Sequence, residues 1–87
     1  MEKRGHFIVG IHITDRVRKV PDVQAVLTEY GCSIRTRLGL HDVQGDYCSP
    51  NGLVLLDMTC EEEICQELME RLAEIEGVEV KKMAFGG

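Results

Sequence analysis

The stretch Leu53-Val54-Leu55-Leu56-Asp57-Met58-Thr59-Cys60-Glu61-Glu62 decides how this chain of 87 residues folds. Its first six residues are a nearly unbroken apolar run, the pattern of a strand buried on both faces and therefore central in a sheet. Thr59 to Glu62 then has the form of a capping box, a hydroxyl with a Glu three residues on, and Glu61, Glu62 and Glu63 fall in a first helical turn where the dipole favours anions. The stretch thus reads as a central strand running straight into a helix, with its second face still to be covered.

Downstream, Ile64, Leu68, Leu72 and Ile75 form one helical stripe, and Gly77 ends it. Val78, Val80, Lys82 and Ala84 then alternate with Glu79, Lys81, Met83 and Phe85 as a final strand. Upstream, residues 41–52 hold Gly45, Ser49, Pro50, Asn51 and Gly52 and read as a long hairpin connection. Before it, Ile34, Thr36, Leu38 and Leu40 alternate with Arg35, Arg37 and Gly39, a strand expected to turn the first set to the core and the second to solvent. Val20, Val23, Val26, Leu27 and Tyr30 recur at helical spacing. Pro21 places the start near Val20, or earlier with a kink, and Gly31 is expected in the left-handed position that closes the helix. Phe7, Val9, Ile11 and Ile13 alternate with His6, Ile8, Gly10 and His12 as the first strand.

The order is β-α-β-β-α-β. With right-handed crossovers it makes an α+β, ferredoxin-like sandwich over residues 1–87: one domain, four antiparallel strands in order 4-1-3-2, both helices on one face. Ile8 and half of the Leu53–Met58 strand then lie exposed on the other face, which predicts a homodimer or homotetramer. A chain of this size buries only about 60–65 % of its unfolded surface, so a second copy would also complete a modest core.

Composition narrows the function. With 44 % hydrophobic and 29 % charged residues the chain is globular, and a net charge of −5 argues against nucleic acid as a primary, direct partner, because phosphate binding depends on Lys and Arg. Met1 to His6 leads into a short apolar run, so neither a signal peptide nor a membrane span is expected. The four cysteines include no C-x-x-C pair and read as reduced thiols in a cytoplasm. Cys60 and Cys65, if both on the helix, stand about 140° apart and cannot share a metal. Neither a phosphate-binding loop, a dinucleotide fingerprint nor a nucleophile elbow occurs, so no enzyme and no cofactor is expected.

Two constellations remain. Arg35 and Arg37 on one face, with Gly39 beside them and His6 and His12 on the same sheet surface, suit a small anion or carboxylate, since a guanidinium binds a carboxylate through two parallel bonds. The alternative is a solvated edge strand whose charges discourage aggregation. His41 and Cys48 flank the hairpin, and with His12 from a neighbouring subunit they form the alternative of a transition-metal site for nickel, zinc or iron.

Asp15-Arg16, Val23, Leu27, Glu29-Tyr30-Gly31, Ile34, Arg37-Leu38-Gly39-Leu40, Asp57, Gly77-Val78 and Val80-Lys81 together resemble the small iron-only hydrogenase system regulators, over most of the chain. That family is similar in fold to ACT domains and to the C-terminal domain of the nickel-responsive repressor. The resemblance implies an ACT-like, non-enzymatic oligomer in an anaerobic bacterium, sensing a small ligand or binding a regulatory or hydrogenase-associated protein. Residues 41–52 are longer than the family's hairpin, and Thr36 stands where a glycine is expected.

Overall fold

The structure is a computed structural model that describes residues 4–14, 16–44 and 47–86, with side-chain positions for all of these except 16–18, 40–44 and 47–51. Along the chain run β1 (Arg4–Ile13), α1 (Arg16–Glu29), β2 (Ile34–Gln44), β3 (Tyr47–Glu61), α2 (Glu62–Ala73) and β4 (Val78–Phe85). The strands form one antiparallel sheet in order β2-β3-β1-β4, which is the expected 4-1-3-2 arrangement of a ferredoxin-like fold.

Residues paired directly across antiparallel strands point to the same face. Phe7 pairs with Met58, Val9 with Leu56 and Ile11 with Val54, which makes these the helix side. There Phe7, Val9, Ile11, Ile13, Leu56, Met58 and Cys60 are buried against Val23, Val26 and Leu27 of α1 and Cys65, Leu68 and Leu72 of α2. The strand period of two and the helix period near 3.6 thus converge on one apolar layer.

Two local expectations are corrected and one open alternative is decided. Thr59 to Glu62 forms no capping box: β3 continues to Glu61, the helix opens without a side-chain cap, and Thr59 is paired with His6. β1 is long enough to pair through Arg4 with Glu61, so the ladder keeps Thr59 to Glu61 in strand geometry and moves the helix start to Glu62. The helix α1 starts at Arg16 with Pro21 inside it, the earlier of the two starts. Residues 41–44 and 47–52 are paired strand in place of a loop, with Gln44 paired to Tyr47. At 15 residues β3 accounts for the long dimension of a molecule measuring 51 × 22 × 18 Å.

Candidate ligand-binding site

A β-bulge in β2 sets the geometry of the site. Ile34 pairs with Met58 and Thr36 with Asp57, so Arg35 is an extra residue opposite one step of β3. Every position after it is therefore turned over relative to strict alternation. Arg37 pairs with Leu56 and Gly39 with Val54, both on the helix side, while Leu38 pairs with Leu55 on the open side and is 53 % exposed. This corrects the expectation that Thr36 and Leu38 face the core; the side chain of Leu40 lies outside the described residues. The bulge also separates Arg37 from His6 and His12, which lie on the open face.

What the bulge brings together is a groove. Leu27, Thr28 and Gly31, at the end of α1, and Ile34, Arg35, Thr36 and Arg37 of β2 line a cleft of about 380 Å³. Gly31 does not take the left-handed backbone expected of it. It opens a 3₁₀ turn over Gly31–Ser33, and the helix end is closed by Tyr30 N–H donating to Leu27 O at 3.1 Å and Ser33 N–H to Tyr30 O at 2.9 Å. Arg35 and Arg37 are both exposed, and among the described residues neither has a carboxylate partner. The C-terminal end of α1 carries the negative pole of its dipole, so the groove is cationic through these two guanidiniums alone. A Cβ on Gly39 would meet nothing within 4 Å, so that position is open space beyond the groove.

The open face carries a second set of groups. His6 Nε2 and Asp57 Oδ1 lie 2.6 Å apart, and the imidazole is 5.7 Å from the Phe85 ring. Around them Ile8 and Leu55 are half-buried, and Met83 and Phe85 are exposed. A shallow hollow of about 340 Å³ lies over Gly10, bordered by His12, Leu53, Glu79 and Lys81. Asp57 and Lys81 belong to neither constellation expected from the sequence. The signal for Asp57 was its place as the one acidic residue in the Leu53–Met58 run.

The expected metal-ligating set, His41 and Cys48 with His12 of a neighbouring subunit, falls largely outside the described side chains. His12 is exposed on the open face, and the side chains of His41 and Cys48 lie outside the described residues; their backbones stand opposite Gly52 and Val43 in the ribbon. Among the described residues no group of three His, Cys, Asp or Glu side chains could hold a metal ion. Cys60 stands on β3, not on the helix with Cys65, and both are buried free thiols. Burial pushes both thiols up, with Glu61 adding to the effect at Cys60 and the neighbouring Cys60 thiol at Cys65. They are packing groups. Among the described residues no helix is long and apolar enough to cross a membrane.

No family model and no curated protein matches the sequence. Solved structures do match. The uncharacterized protein TM1266 from Thermotoga maritima superposes with a TM-score of 0.84 at 21 % identity, covering 97 % of this chain and 100 % of that one. A formyltetrahydrofolate deformylase from Pseudomonas putida KT2440 matches at 0.60 and 18 % identity over 92 % of this chain, which is 29 % of that enzyme. CPII, a nitrogen regulatory PII-like protein from Thiomonas intermedia K12 bound to ADP, AMP and bicarbonate, matches at 0.53 and 14 % identity over 98 % of both chains. At these identities the likeness is one of fold: the chain shares the ferredoxin-like architecture of this group.

Proposed function

We propose that this protein is a non-enzymatic, self-associating regulatory module that binds a small anion or carboxylate in the α1–β2 groove. The observation that carries the reading is the pair of guanidiniums, Arg35 and Arg37, brought to one cleft by the bulge and left without a carboxylate partner among the described residues. Unpaired guanidiniums at a groove are ready to form charge-assisted, two-point bonds with phosphate or carboxylate oxygens. The fold likeness to a PII-like regulator bound to adenine nucleotides and bicarbonate supports a ligand of this class. The sequence resemblance to iron-only hydrogenase system regulators supports a hydrogenase-associated protein as the partner that receives the signal. The charge of −5 favours a protein over an operator as that partner.

Calorimetric titration with AMP, ADP, bicarbonate and acetate tests the reading. At least one is expected to bind, and Arg35→Ala combined with Arg37→Ala should weaken it by roughly tenfold or more, since hydrogen bonds to charged groups contribute about 1.5–3 kcal/mol each. Binding that the double variant leaves unchanged would remove the groove from the site.

A further inference from the structure

We infer that the open face of the sheet receives a second copy of this chain, face to face, with Lys81 of each copy against Asp57 of the other. The inference rests on the self-association proposed above and names its surface and its register.

Ile8 pairs with Asp57 on one side and with Met83 on the other, so these three share one rung of the sheet. Phe85 stands two residues up β4 from that rung, and Leu55, paired with Leu38, stands two residues down β3. Phe85, Met83, Ile8, Leu55 and Leu38 therefore run as a diagonal apolar stripe across all four strands, about 20 Å long from strand and residue spacings. Leu38, Met83 and Phe85 are 53, 58 and 49 % exposed, an unusual investment of large apolar surface in so small a domain.

The charges flanking the stripe select its occupant. On one flank lies Asp57, whose Oδ1 is held by His6 and whose Oδ2 has no partner among the described residues. On the other lies Lys81, which has no ion-pair partner among the described residues, beside the hollow over Gly10. Two twofold axes lay the stripe on itself. An axis across the stripe sets the Asp57 flank on its own copy and brings two carboxylates together. An axis along the stripe sets the Lys81 flank on the Asp57 flank of the second copy, and the strand spacings bring Lys81 within about 4 Å of that carboxylate in projection. Asp57 then enters the Gly10 hollow of the other copy. Opposite charges that meet twice, over a shared apolar band, make the face complementary to itself, as an isologous contact requires.

Sedimentation equilibrium with light scattering on the full chain tests this, with circular dichroism confirming that each variant is folded. The wild type is expected to dimerise. Lys81→Glu and Asp57→Lys should each raise the dimer dissociation constant by roughly tenfold or more, and the two together should recover most of the loss. Met83→Asp, at an exposed position that the monomer's fold does not use, should give a monomer. A wild type that stays monomeric at about 100 µM overturns self-association itself, a concentration far above a micromolar dissociation constant. A dimer whose dissociation constant ignores both single changes, or a double variant no tighter than the singles, overturns this register and leaves self-association standing.

Discussion

Gly77 shows how one residue's backbone can anchor a fold. Its φ is +85°, and Thr14 N–H donates to its carbonyl at 2.8 Å, which ties the end of β1 to the turn entering β4. A Cβ there would stand 3.3 Å from Thr14 O and would hold an unfavourable left-handed conformation. Gly77→Ala is therefore expected to lower stability by about 1–2 kcal/mol in urea unfolding, more than the usual entropic gain from removing a glycine. Gly31 also follows a helix, yet it leads into a 3₁₀ turn and its Cβ would meet nothing within 4 Å. The two glycines look alike in the sequence. What separates them is where the chain goes next, a tertiary fact that local composition does not carry.

Among the elements, the strands and helices were legible because their apolar periods are clean, and the phase of β2 was not. Ile34-Arg35-Thr36-Arg37-Leu38 sets charged residues between uncharged ones so regularly that a bulge leaves no trace in it. Only the pairing of Arg37 with Leu56 reveals the turnover, and that pairing is set by β3. The candidate site was legible to the same degree: Arg35 and Arg37 were identified as residues, while the groove they share was hidden by the phase error. Helix pairing carries its own prediction. Arg71 of α2 donates to both carboxylate oxygens of Glu29 at the end of α1 and lies 5.7 Å from the Tyr30 ring, while Tyr30 donates to Glu67 at 2.7 Å. The Arg71 guanidinium holds the Glu29 carboxyl below its ordinary value. A carboxylate lowered on folding stabilises the native state above the ordinary carboxylate range, and that contribution is lost as pH falls through its folded value. Arg71→Leu should accordingly lose less Tm than the wild type between neutral and acid pH. Because the pair is exposed, high salt should narrow the difference.

At the scale of the molecule, two helices cover one face of a four-stranded sheet and leave the other bare. The apolar run of β3 suits burial on both faces, and two of its residues, Leu53 and Leu55, stand half-buried on the open side. If that side is closed by association, folding and assembly are linked, and Tm should rise by a few degrees for each tenfold increase in protein concentration, measured by calorimetry. A monomer that ignores its partner would show no such slope. The long β2–β3 ribbon has a practical consequence for these measurements. At 51 × 22 × 18 Å the single chain is a prolate particle rather than a sphere. It drags more water and tumbles more slowly end over end than a compact globule of 9.8 kDa. A gel-filtration column calibrated with spherical standards will therefore report one copy as something heavier, and NMR relaxation will show amide vectors along β3 and across it reorienting at different rates.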